Sequence, residues 1–139
     1  MVKNISSLHL NASANKIWEV LTNPVYVKKW QFGSDLLTDW KAGSDIRFKT
    51  EWEGQVFEQW GKILEIIPNK LIRYTLFAPR PDIEDKPENY FIMSYILTHE
   101  ANHIRLEIIQ EDNRPGAIQE PLQGEENPIM AGLKALIEA

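Results

Sequence analysis

The sequence predicts an α+β architecture, a long antiparallel sheet with all of its helices on one face. Three observations predict it. Two short amphipathic segments near the N-terminus each carry a Trp. The middle of the chain holds at least five stretches that alternate apolar and polar residues. A final apolar stripe at helical spacing stands behind Pro128.

The elements follow in order. A short apolar segment at the N-terminus reads as a strand, with His9 alternating away from Leu8 and Leu10 onto a solvated edge or face. Ala14, Ile17, Trp18 and Leu21 then fall at i, i+3, i+4 and i+7, one face of a helix, with Ser13 placed as its N-cap. Asn23-Pro24 ends that helix and begins a second, on which Val27 and Trp30 sit three apart. Helices of two turns do not stand alone in water, so Trp18 and Trp30 are expected to anchor them to the sheet.

From Asp45 to Glu53, Ile46, Phe48, Thr50 and Trp52 face one way and Arg47, Lys49, Glu51 and Glu53 the other, the pattern of a sheet with one wet face. Gly54 marks a turn, and a longer strand runs from Gln55 to Ile67, with Gly61 signalling a bulge or bend. Leu71 to Phe77 follows, with Ile72, Tyr74 and Leu76 on one face. Three prolines and several carboxylates make the next segment, through Asn89, a solvated loop. Tyr90–Thr98 and Ile104–Gln110 form a hairpin whose inner residues are Met93, Tyr95, Leu97, Ile104, Leu106 and Ile108. After a second polar loop, Pro128 to Ala139 carries Ile129, Met130, Leu133, Leu136 and Ile137 as a helical stripe. That stripe is expected to lie across the concave face of the sheet.

Composition sets outer bounds. The chain has 139 residues, 43% of them hydrophobic, and reads as one domain over residues 1–139. It has no Cys, which removes disulfides, thiol catalysis and Cys-based zinc sites. No secretory signal and no apolar run near the roughly 20 residues of a membrane span is visible, so a cytoplasmic address is expected. A net charge of −5 and pI ≈ 5.2 argue against a nucleic-acid partner.

At this level of detail the chain resembles the START-like, helix-grip superfamily, also called SRPBCC. Within it the resemblance is to the family named for its likeness to the C-terminal domain of the heat-shock protein 90 ATPase activator. The residues that carry it are Ile17-Trp18, Leu21-Thr22-Asn23-Pro24, Trp30, the run from Asp39 to Phe48, Gly61 to Phe77, Asp85 to Tyr90, and the closing GLKALIEA. Two positions depart from it. A Trp usual at the start of the last helix is replaced by the stretch Glu125 to Met130, and a Gly-Thr before the last strand by Asn102-His103. The resemblance implies an apolar cavity between sheet and terminal helix. It also implies a range of uses: lipid or hormone binding, polyketide cyclisation, or assistance to a chaperone ATPase.

The candidate chemistry is sparse. His99 and His103 are four apart but flank a predicted turn, with no third ligand evident, so no metal site and no cofactor are expected. Glu58 shares strand parity with Val56, Trp60, Leu64 and Ile66, and faces either the cavity or solvent, depending on whether Gly61 flips the parity. No catalytic residue can be assigned. The expected function is therefore non-catalytic binding of a small hydrophobic or amphipathic molecule, in a pocket walled by Phe48, Trp52, Tyr74, Tyr95, Leu106, Met130 and Leu133. The alternatives are a cyclase- or hydratase-type enzyme using the same cavity, and a protein-interaction module that assists a chaperone.

Overall fold

The computed structural model describes residues 2–31 and 33–139. Its strands are β1 (Val2–Leu10), β2 (Asp35–Thr38), β3 (Asp45–Trp52), β4 (Gln55–Ile67), β5 (Leu71–Leu76), β6 (Phe91–His99) and β7 (Ile104–Asp112). The helices are α1 (Ala14–Thr22), α2 (Pro24–Trp30) and α3 (Pro128–Glu138), with a 3-10 turn at Pro87–Asn89. All seven strands join one sheet in the order β1-β7-β6-β5-β4-β3-β2, and every pairing is antiparallel. With three helices added, this is the α+β helix-grip fold that the sequence predicts.

Local chemistry sets the helix boundaries. Ser13 Oγ accepts the Lys16 N–H at 3.1 Å and opens α1. Asn23 closes α1 through its own N–H to the Glu19 carbonyl at 2.9 Å, and opens α2 by accepting the Val25 N–H on Oδ1 at 2.9 Å. The last carbonyls of α1 would otherwise lack partners. Two indoles supply them: Trp30 Nε1 donates to Val20 O, and Trp40 Nε1 to Thr22 O, both at 3.1 Å. Trp30 is buried and Trp18 packs against the core from its margin, which agrees with an anchoring role for both.

Helix α3 buries Met130, Leu133 and Ile137 and packs against β1, α1 and α2. Its start is held without a Trp. Asn127 Oδ1 accepts the Ile129 N–H at 2.9 Å, Pro128 occupies the first turn, and Asn127 Nδ2 donates to Gln123 Oε1. The edge of β1 is covered by the same connection, through Ser7 N–H to Gln123 O at 2.8 Å and Gln123 N–H to Ile5 O at 3.0 Å.

Strand β4 takes one of the two orientations that its sequence leaves open. Gln55, Phe57 and Gln59 lie opposite Trp52, Thr50 and Phe48, so they share the concave face, while Val56, Glu58 and Trp60 face outward. Glu58 is therefore a solvent-side residue, ion-paired with Arg47. The bulge lies at Leu64, where the register with β5 shifts between Ile63 and Glu65, rather than at Gly61. Gly61 serves another purpose. A Cβ there would stand 1.7 Å from the Thr75 carbonyl oxygen, so only glycine lets β4 run this close to β5. Strand β2, which the sequence does not announce, pairs Leu36 with Phe48 and buries Leu36.

Two outcomes test this packing. Leu133→Ala should lower stability by ~2–5 kcal/mol, since a fully buried leucine is lost from the helix–sheet seam; chemical denaturation measures it. Gly61→Ala should cost at least ~1–3 kcal/mol through backbone displacement. Gly132→Ala is the control, because its Cβ meets nothing within 4 Å; it should instead stabilise α3 by ~0.8–1 kcal/mol.

Candidate functional site

The concave face is not completely filled. A pocket of about 450 Å³ lies between the sheet, α2 and the first turn of α3. Phe48 and Thr50 of β3, Phe57 and Gln59 of β4, Tyr74 and Leu76 of β5, and Met93 and Tyr95 of β6 form its wall. Ile108 and Ser6 extend the wall onto β7 and β1. Trp30, Gln31 and Ser34 close one side, and Asn127, Ile129 and Met130 another. Phe57 and Ile129 are 52% and 38% exposed, so the mouth opens between the β3–β4 hairpin and the start of α3. A second space of about 280 Å³ adjoins it across Ser6, Met93 and Ile108, beneath residues 120–123.

The residues expected from the sequence divide into three groups. Phe48, Tyr74, Tyr95 and Met130 line the pocket. Leu106 and Leu133 are completely buried behind it, as core rather than wall. Trp52 is outside altogether and 65% exposed. Its parity is the expected one, but Glu53 (φ 50) and Gly54 (φ 77) form a two-residue turn directly after it, and the hairpin tip projects beyond the helices that could cover it. Trp30, expected only as an anchor, also forms part of the wall. Gln31, Ser34 and Gln59 are not signalled by the sequence: Gln59 is a polar residue on an inner face and breaks the alternation that identifies one, and Gln31 and Ser34 lie in the connection between α2 and β2, which has no periodicity to read.

Two hydroxyl pairs give the pocket its polarity. At its floor Tyr74 and Tyr95, both buried, bring their hydroxyls to 2.6 Å with rings edge to face at 5.6 Å. Nearer the mouth Ser34 Oγ and Thr50 Oγ1 are 2.7 Å apart. In each pair one hydroxyl donates to the other, so one proton per pair remains for a third group. Burial pushes the Tyr95 phenol up to about 12, against hydrogen bonds with Tyr74 and Gln31 that pull it down. Burial pushes Tyr74 well above its ordinary value too, reinforced by the charge an ionised Tyr95 would carry and by the hydrogen bond to it. At neutral pH both are phenols.

The histidines are arranged differently from the expectation. His103 meets not His99 but His9 of β1, with Nε2 2.8 Å from His9 Nδ1, and also Glu100, with Oε1 at 2.9 Å. Strand pairing creates this cluster, since His9 lies opposite Arg105, two residues past His103.

The profile of the family described as Activator of Hsp90 ATPase homolog 1-like protein matches residues 11–138. Among solved structures, a protein of Cytophaga hutchinsonii is 33% identical, with a TM-score of 0.71 over 84% of this chain and 80% of its own. A protein of Chromobacterium violaceum is 22% identical, with a TM-score of 0.72 over 100% of this chain and 99% of its own. The Aha1 dimer of Colwellia psychrerythraea is 22% identical, with a TM-score of 0.62 over 84% and 81%. None of the curated proteins compared with the sequence matches it. Among the described residues, no helix is long and apolar enough to cross a membrane.

The raised phenol values give a pH dependence with a definite sign. A phenol that ionises later in the folded state than in the unfolded one contributes stability that is complete below the unfolded value of 10.0. That contribution falls as pH rises toward about 12. Denaturation midpoints should therefore decline between these limits. The decline should be smaller in Tyr95→Phe, and ultraviolet titration should show both phenols ionising only with unfolding.

Proposed function

Because the chain belongs to the Activator of Hsp90 ATPase homolog 1-like family, we propose that its pocket binds a small amphipathic molecule and that the binding is non-catalytic. The observation that carries this reading is the buried pair of tyrosine hydroxyls at the floor of a pocket with mostly apolar walls. A volume of about 450 Å³ lies within the ~300–1,000 Å³ of ordinary ligand pockets. Phe48, Leu76, Met93 and Ile108 offer apolar surface to a hydrocarbon or ring system. The free proton of the tyrosine pair offers one hydrogen bond to a carbonyl or hydroxyl oxygen placed deepest. The Ser34–Thr50 pair offers a second near the mouth. The ligand so described is an apolar body with an oxygen at one or both ends.

The same phenols weigh against the enzyme reading. A general acid works best with a pKa near the operating pH. A phenol held at about 12 donates a hydrogen bond readily at neutral pH but gives up its proton poorly. Among the described residues, no carboxylate or imidazole lines the pocket to complete a proton relay. The chaperone reading follows from family membership, and it leads if no small molecule binds.

An environment-sensitive apolar dye should bind the folded chain saturably and with defined stoichiometry, and medium-chain ketones or fatty acids should displace it. Phe57→Glu, at an exposed part of the wall, should weaken binding with the fold intact, because a carboxylate in an apolar wall is desolvated by the ligand. Replacing both Tyr74 and Tyr95 by Phe should reduce affinity for oxygenated ligands about two- to tenfold, the worth of one hydrogen bond, and leave hydrocarbon probes unaffected, since either single variant keeps one phenol proton. Trp52→Glu should change neither. Absence of saturable binding by any apolar probe would overturn the proposal.

A further inference from the structure

We propose that His9, Glu100 and His103 form a binding site for a divalent transition-metal ion of the zinc type, on the convex face of the sheet. The site is separate from the pocket. Its three donor atoms come from two parts of the chain that only the fold brings together. Glu100 and His103 stand at the ends of the β6–β7 turn, closed by the Glu100 N–H to the His103 carbonyl at 2.9 Å. His9 arrives from β1, whose neighbouring backbone is held by Lys134 Nζ donating to His9 O at 2.7 Å.

Donor geometry carries the proposal. His103 Nε2 is 2.8 Å from His9 Nδ1 and 2.9 Å from Glu100 Oε1, and His9 Nδ1 is 3.6 Å from the same carboxylate oxygen. Ligands of a tetrahedral zinc ion at ~2.0–2.1 Å stand about 3.3 Å from one another. The observed separations bracket that value, so small side-chain rotations suffice to admit the ion. The two imidazole rings meet edge to face, with their planes at 75°, rather than stacked. Hydrogen bonding alone leaves this cluster poorly satisfied. In either tautomer His103 Nε2 presents a single hydrogen or a single lone pair to two neighbours, His9 Nδ1 and Glu100 Oε1, whereas a cation accepts a lone pair from each of the three donors at once.

The surroundings suit a cation. Arg105 Nη1 holds the other oxygen of Glu100, Oε2, at 3.3 Å and so fixes the carboxylate, as outer partners of metal ligands do. Arg105 also approaches Glu107 at 3.7 Å, and Lys134 approaches Glu138 at 3.4 Å and Glu125 at 3.8 Å. Carboxylates therefore outnumber the nearby ammonium and guanidinium groups two to one. With two nitrogen donors and one oxygen, the site favours zinc, nickel or copper over magnesium or calcium. Three protein ligands leave a fourth position for water.

The test uses the complete chain, free of any histidine tag and treated with chelator, titrated calorimetrically with zinc chloride at about pH 7.5, where free imidazoles are mostly neutral. One equivalent should bind saturably and raise the unfolding midpoint. His9→Ala and His103→Gln should each weaken binding by at least about tenfold, the lower end of what even an outer-shell change costs. Circular dichroism confirms that each variant is folded. His99→Ala lies outside the cluster and should bind as the parent does. Absence of one-to-one binding, undiminished binding in His9→Ala and His103→Gln, or equal loss in His99→Ala would overturn the proposal. Dye binding in the pocket should be the same with and without zinc, so this result stands apart from the pocket reading.

Discussion

The structure depends on a mismatch of dimensions between one sheet and the helices that must cover it. Seven strands at about 4.8 Å spacing make a surface about 29 Å wide. Helix α3, with 11 residues, is only about 16 Å long. Curvature, and the wedge of α1 and α2, reduce the uncovered area without closing it. The paired tryptophan indoles lock that wedge at one end, and Met130, Leu133 and Ile137 seat α3 at the other. What is left between them is the pocket. Its place and size follow from short helices on a wide sheet, before any wall residue is specified.

That geometry also explains which parts of the molecule could be read in advance. Strand β3 was legible because its faces alternate without interruption. Helices α1 and α2 were legible because Ser13 and the Asn23-Pro24 step punctuate them. Strand β4 is ambiguous in sequence, since Val56, Trp60, Leu64 and Ile66 offer an apolar parity that the Leu64 bulge interrupts in space, and only the register with β3 places Glu58 on the solvent side. The true inner set includes Gln59, which stays exposed, and Gly61, which is buried, and neither announces an inner face. Trp52 shows the converse limit. Its face was right, but whether a face is covered depends on how far a helix reaches, and periodicity carries no such information. The histidine cluster is hidden for a third reason, since its members meet through strand pairing across 94 residues of sequence.

The interior polar groups are economical. Tyr74 with Tyr95, and Ser34 with Thr50, satisfy each other in pairs, so neither pair depends on a guest for a hydrogen-bond partner. Each pair still keeps one proton uncommitted. The protein can thus offer hydrogen bonds to a guest without bearing the full desolvation cost when none is present. Ionisable groups have gone to the convex side, where Arg47–Glu58 and Arg105–Glu100 pair beside water.

The pairing of β1 with β7, from Val2 opposite Asp112 to Leu10 opposite Ile104, has a kinetic consequence. The strand nearest the N-terminus can find its place only after the last strand exists. Such non-local closure gives a high contact order, and loop-closure entropy must be overcome before the contacts that reward it form. During synthesis Leu8 and Leu10 emerge early and wait with their apolar faces uncovered, as does the unpaired backbone of β1. The nascent chain is therefore most vulnerable to aggregation in the interval before β7 is complete. Helix α3, which follows β7 and packs on β1, then seals the seam.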